Sequence, residues 1–157
     1  MEVIRRCPEC GTDWSGGQTC TDHFHLMGFW ELEKQLYDVH HLMVLCYHLQ
    51  HPSLYSPEGL RGAKQLLVLF LEEGLTPQQV RKRFGKAVDS GTRPYKIKGA
   101  STAYGTYTHP VQWTMTAAEV TAAGLENYAA TVRAWAGSVL DSLRRSQNLD
   151  YSHRRVG

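Results

Sequence analysis

The sequence predicts a mainly α, single-domain helical bundle of four to five helices, with an N-terminal metal-binding knuckle and an irregular insert at 89–115. Three observations carry that prediction. Apolar residues recur at the 3.6-residue helical period through most of the chain. Several of these stripes begin at a Ser, Thr or Asp with capping potential and end near Gly or Pro. Three cysteines and most of the histidines crowd the first third of the chain. At 157 residues with 42% apolar content, the chain can bury a core without disulfide staples. The expected organisation is one domain over 1–145: a knuckle arm 1–20, helices within 21–88, the insert, C-terminal helices within 116–145, and a polar, frayed tail 146–157.

Residues 1–19 hold Cys7-Pro8-Glu9-Cys10-Gly11 and Ser15-Gly16-Gly17, with too little apolar content to order themselves. A bound metal would supply the missing constraint. Residues 21–36 read as a helix whose core face is His25, Phe29, Leu32 and Leu36. Residues 39–50 form a second helix with Asp38 as N-cap. Its apolar face is Val39, Leu42, Leu45, Cys46 and Leu49, and His40, Val44, Tyr47 and His51 form a narrow stripe opposite. Pro52 disfavours helical geometry at His51 and ends the helix there.

A third helix spans 57–73, with Ser56 as cap, Pro57 in the first turn and Gly74 just past the end. Leu60, Ala63, Leu67, Phe70 and Leu71 give its core face. Thr76-Pro77-Gln78-Gln79 starts a short helix over about 77–88, with Val80, Phe84 and Val88 inward. Its basic run Arg81-Lys82-Arg83 reads as a solvated face rather than a nucleic-acid contact. The insert combines glycines and prolines with Tyr95, Tyr104, Tyr107 and Trp113, and Tyr95–Lys98 is compatible with a strand, hence a β-hairpin. Thr116-Ala117-Ala118-Glu119 is another capping box, Gly124 breaks or kinks the helix it opens, and a last helix runs to about Arg144. Leu125, Tyr128, Val132, Trp135, Val139 and Leu143 form its stripe.

The charge balance of +2 does not by itself imply a nucleic-acid partner. The nearly apolar run Leu66–Leu71 is far shorter than the roughly 20 residues of a membrane span. The N-terminus lacks the apolar core of a signal peptide. The expectation is a cytoplasmic protein with no membrane partner; a homo-oligomer is compatible with the sequence, and the partner is unspecified. Cytosolic thiols stay reduced, so the cysteines are better read as ligands or core residues than as disulfides.

Zinc in structural sites takes four ligands in a tetrahedron, mostly thiolate and imidazole. Cys7-x2-Cys10 points two sulfurs at one ion across a tight turn, and Gly11 tolerates the positive φ the turn needs. Cys20 adds a third sulfur at the start of the first helix, where the dipole favours a thiolate. Zinc is therefore the expected cofactor. For the fourth ligand, an antiparallel hairpin of the first two helices with its turn near Tyr37 sets Cys20 and His23 beside position 51. This ranks His51 first, then His23, then His48. His40 lies about 16 Å along the helix from His51, too far to share the ion. His40, His41, Glu31 and Glu33 fall near the hairpin turn, where they form either a carboxylate–imidazole cluster suited to a base or second metal site, or two polar histidines on a helix surface or satisfied by hydrogen bonds in the interior. Cys46, on an apolar face, reads as core.

The Cys7-Pro8-Glu9-Cys10-Gly11 knuckle, Cys20 and the run Val39 to Pro52 resemble a bacterial family of uncharacterised domains, and the likeness extends over most of the chain. Its members pair Cys-Pro-x-Cys-Gly and a later Cys with a helix reading His-x-Leu-x-Val-x-x-Tyr-x-x-Gln-His-Pro. The resemblance implies the cysteines, His40, Tyr47, Gln50 and His51 as residues of interest, and implies no activity. Where the family carries Asp after the Val of that helix, this chain has Leu45, so a role needing that carboxylate does not transfer.

Two function classes are compatible with these residues. One is a zinc-binding helical protein whose zinc is structural and whose role is binding or regulatory. The other is a metal- or histidine-dependent enzyme of the helical-bundle type acting on a small molecule, with the insert as a lid. Coordination separates them: a closed tetrahedron of protein ligands favours the first, an open position the second.

Overall fold

In the structure, a computed structural model, residues 5–80, 82 and 104–149 are described. Five α-helices dominate them: α1 (Cys20–Lys34), α2 (His40–Leu49), α3 (Pro57–Glu72), α4 (Ala117–Ala123) and α5 (Tyr128–Arg145). Short 3-10 turns at Tyr37–Val39 and Pro52–Leu54 flank α2. Among the described residues the only β pairing is an isolated bridge between Arg6 and Asp13, and no helix is long and apolar enough to cross a membrane.

Helix α5 carries the centre of the core. Tyr128, Val132, Trp135, Val139 and Leu143 are buried as the 3.6 period requires. They pack with Met27 of α1, Met43 and Leu49 of α2, and Leu67 of α3, all fully or almost fully buried. Helix α3 matches its sequence signals closely. Ser56 Oγ accepts from the Gly59 amide at 3.0 Å. At the other end Gly74 adopts φ 65°, and the Leu75 amide closes on the Leu69 carbonyl at 3.2 Å. Arg144 of α5 pairs with Glu72 at the end of α3.

Helix α1 departs from expectation. Its buried face is Cys20, His23, Met27 and Glu31, not His25, Phe29, Leu32 and Leu36. His25 is exposed, and Phe29 and Leu32 are 57% and 67% exposed. The polar members of the true face find partners on other helices, which apolar periodicity does not see. His23 Nδ1 and Thr121 Oγ1 share a hydrogen bond at 2.8 Å. Glu31 accepts from Tyr128 and His40. The start of α1 has a Thr19–Asp22 capping box, and Gln35 at φ 56° ends the helix two residues early.

Asp38 does not cap α2. It lies within the 3-10 turn, and Val39 takes the N-cap position without a side-chain bond. Helix α2 is also buried on more than one face: Met43 and Tyr47 are as enclosed as Leu45, Cys46 and Leu49, whereas Leu42 is only half-buried. The antiparallel α1/α2 hairpin is present, seen in Phe24 against Tyr47 at 4.4 Å between centroids and in the Glu31–His40 bond.

The Thr76–Gln79 capping box forms in both directions, and Val80 is buried. Phe84, Val88, Arg81, Arg83 and the candidate strand Tyr95–Lys98 lie outside the described residues. From 104 to 115 the chain is irregular and tied to the end of α2. The Gly105 amide donates to the Tyr55 carbonyl at 2.8 Å, the Tyr107 hydroxyl donates to the Leu49 carbonyl, and Gln50 Nε2 donates to the Met115 carbonyl at 2.7 Å. A Cβ on Gly105 would sit 2.8 Å from the Pro52 carbonyl oxygen. The Thr116–Glu119 capping box opens α4, and Gly124 at φ 90° closes it. The tail departs from expectation at its start. Asn148 is buried, its Nδ2 donates to the His109 carbonyl, and its Oδ1 accepts from the His109 amide. Side-chain amides that pair with backbone in this way hold a segment that composition alone assigns to fraying.

Candidate metal centre

The knuckle is a tight loop closed by backbone bonds. The Cys7 amide donates to the Thr12 carbonyl at 2.8 Å, and the Trp14 amide to the Arg5 carbonyl at 2.6 Å. Gly11 takes φ 84°, its amide donates to the Cys7 carbonyl at 3.0 Å, and the loop turns back there. Amides of Glu9 and Cys10 both reach Cys7 Sγ at 3.4 Å. Such N–H···S contacts stabilise a thiolate.

Glu9 fastens the loop to the turn after α2. Its carboxylate accepts from the Ser53 amide at 3.0 Å and from the Ser53 hydroxyl at 2.8 Å. That clamp sets the knuckle against His51, which has left the helix with φ −132° ahead of Pro52. Cys20 arrives as the first residue of α1. As a result Cys7, Cys10, Cys20 and His51, all buried, each place one ligand atom within 4.8 Å of the others and could hold a metal ion. Cys10 and Cys20 sulfurs are 3.5 Å apart. A zinc tetrahedron with about 2.3 Å to sulfur and 2.0–2.1 Å to nitrogen has edges of about 3.5–3.8 Å.

The orientation of His51 tests the fit. Its Nδ1 lies 2.6 Å from the Tyr47 carbonyl. A carbonyl only accepts, so Nδ1 carries the proton and Nε2 the lone pair. That Nε2 is buried with no hydrogen-bond partner. An orphaned imidazole nitrogen is costly to bury, and a metal bond removes that cost. The Tyr47 ring stacks on His51 at 4.4 Å and fixes its plane. Backbone-bonded Nδ1 with a free Nε2 is the usual outer-layer arrangement of a metal-ligating histidine. The residues present therefore fit a tetrahedral thiolate–imidazole metal site.

The electrostatics of the cluster without metal agree with this. Hydrogen bonds from Cys10 and Cys20 to the Cys7 sulfur hold the Cys7 thiol well below the ordinary range. The shared contacts with Cys20 and Cys7 push Cys10 the other way. Burial works against a charged His51 ring, yet the Cys20 and Cys7 sulfurs and the Tyr47 carbonyl push its pKa up to about 10. Any proton these thiols hold without metal must leave when an ion binds. Trp14 Nε1 donates to Cys20 Sγ at 3.4 Å, and Thr12 Oγ1 lies 3.0 Å from Cys10 Sγ. Neither was visible as a site residue in the sequence; their only signal is proximity to the cysteines.

The competing histidines are engaged elsewhere. His23 bonds Thr121, as described above. His48 Nδ1–H donates to the Val44 carbonyl at 2.8 Å, and its ring packs on Tyr55. Burial lowers the pKa of both rings. Cys46 is fully buried, and burial raises its thiol pKa, as a core residue requires. Leu45 is buried where the resembled pattern has Asp.

Helical architecture and a buried three-Cys, one-His cluster at the N-terminus define the class: a helical domain with a candidate metal knuckle. The chain belongs to a family of unknown function (DUF5946), whose profile matches residues 5–144. No curated protein and no solved structure matches the chain.

Proposed function

We propose that Cys7, Cys10, Cys20 and His51 are the four ligands of one structural zinc ion, and that the protein works by binding rather than by chemistry at that ion. The observation that carries this reading is the buried His51 Nε2, unpartnered and grouped with three thiols. Four protein ligands close a tetrahedron and leave no position for substrate. The metal's contribution is architectural. It joins the knuckle, the first turn of α1 and the end of α2, where the arm has few apolar contacts of its own. With the ion committed to architecture, the functional surface is the helical scaffold it secures, in a binding or regulatory role inside the cytoplasm.

Elemental analysis of protein purified without added metal tests the reading, together with the visible spectrum after cobalt substitution. One equivalent of zinc is expected, with cobalt absorption typical of a tetrahedral site of three sulfurs and one nitrogen. Less than about a tenth of an equivalent, with folding intact, overturns it, because structural zinc sites bind far too tightly to be lost in purification.

A further inference from the structure

At the opposite end of the α1/α2 hairpin, three helices converge on one carboxylate. Glu31 of α1 is 2% exposed. It accepts from the Tyr128 hydroxyl of α5 and lies 2.6 Å from His40 Nδ1 at the start of α2. Tyr128 is itself buried, with Trp30 edge-on against its ring. The His40 side chain is 50% exposed. Glu33 is exposed and takes no part.

A merely structural role accounts poorly for this group. The helices that carry this group already share one apolar core, to which Met27, Val39, Met43 and Val132 belong. A buried carboxyl group is costly to desolvate, and an apolar side chain of similar volume often serves stability as well. The arrangement is also directional. The carboxylate is inside, the imidazole straddles the surface, and Tyr128 fixes the carboxylate from behind. With Nδ1–H donated to Glu31, the lone pair of His40 resides on Nε2, on a side chain that is half exposed to solvent. A carboxylate behind an imidazole sets the tautomer and stabilises the positive charge the ring acquires when Nε2 takes a proton or forms a bond.

We propose that His40 is the proton-accepting residue of a second functional centre, oriented by Glu31 and Tyr128, which acts on the hydroxyl or bound water of a ligand presented from solvent. The ligand's O–H bond breaks, its proton passes to His40 Nε2, and the electron pair stays on the ligand oxygen. Glu31 offsets the charge left on the ring. Glu31 and Tyr128 are positioning residues. This centre is independent of the metal reading and stands on different residues.

The test uses the full chain as purified, with diethyl pyrocarbonate as probe and peptide mass spectrometry as readout. His40 Nε2 attacks the carbonyl carbon, an N–C bond forms, ethyl carbonate leaves, and the Nδ1 proton passes toward Glu31. His40 is expected to react faster than His25 and His109, both exposed. Glu31→Gln keeps an acceptor but loses the charge, and should slow His40 alone by about tenfold, the low end of what loss of an outer-layer partner costs an imidazole. Glu31→Asp should restore part of the rate. If Glu31→Gln does not fold, Tyr128→Phe and the ranking of wild-type histidines still decide. A His40 rate no higher than those of His25 and His109, or one unmoved by Glu31→Gln, overturns the proposal and leaves a structural ion pair.

Discussion

Replacing His51 with Ala isolates the fourth ligand. The substitution removes the orphaned Nε2, the Nδ1 bond to Tyr47 and the stack on the Tyr47 ring. Structural zinc sites bind with about 10–16 kcal/mol, so one ligand of four is worth roughly 2.5–4 kcal/mol, or about two to three powers of ten in affinity. Water entering the vacated position returns part of this, which places the expected loss near the lower figure. His48→Ala removes a neighbouring ring that is engaged with Val44 and Tyr55, and His40→Ala removes one at the far end of α2. Both should hold zinc within about threefold of wild type, since neither contributes a ligand atom. Competition against a chromophoric chelator at neutral pH measures all three. Wild-type affinity in His51→Ala, or a large loss in His40→Ala, would refute the ligand assignment and with it the role given to the Glu9–Ser53 clamp.

Chelation or Cys10→Ser should raise hydrogen exchange in residues 5–20 well above that in α3 and α5, because those helices carry the apolar core; uniform loss of protection would instead make the metal the organiser of the whole fold. Zinc loading should release protons, and affinity should fall as pH falls, because the Cys10 thiol is held protonated without metal; calorimetry in two buffers of different ionisation enthalpy counts the protons. His23 is held neutral by burial below its ordinary value of 6.5. The unfolded chain therefore binds more protons over that window, and stability should drop as pH falls from 6.5 through the lower folded value, with a shallower slope in urea unfolding of His23→Gln. On α1, Met27→Ala should cost about 2–5 kcal/mol, whereas Leu32→Lys should stay within about 0.5 kcal/mol; the reverse order in thermal melts would restore the face read from apolar periodicity.

Legibility in the sequence tracks the physics of each element. Helices α3 and α5 bury plain apolar stripes, and most of their faces are readable: Leu60, Ala63 and Leu67 on α3 and Tyr128, Val132, Trp135, Val139 and Leu143 on α5 are buried as expected, while Phe70, Leu71 and Leu125 are only half-buried. The cluster is readable as well: two knuckle thiols, a third at a helix start and a histidine before a proline leave few ways to meet. Helix α1 is not, because half of its buried face is polar and satisfied across helices by Thr121, Tyr128 and His40. The bonds to Thr121 and Tyr128 join residues about a hundred positions apart, and no local period encodes them. Tyr128 reads as one more core aromatic, and nothing nearby in sequence marks it as a partner of Glu31. The anchoring of Asn148 is hidden for the same reason, since it depends on the backbone of His109.

The close approach of Gly105 to the Pro52 carbonyl gives the far segment a hold on the cysteine–histidine cluster. Pro52 directly succeeds His51, and the Gly105 amide is bonded into the same turn at Tyr55. A methyl group at position 105 would meet backbone on one side and Leu60 on the other, at 2.8 and 3.2 Å. Leu60 can turn its terminal methyl aside, but the Pro52 carbonyl is backbone, so the turn itself has to shift, and the imidazole shifts with it. A change more than fifty residues from His51, and bearing no donor atom, would thus register as altered coordination. The spacing of the four side chains would report on a stretch of chain that supplies none of them.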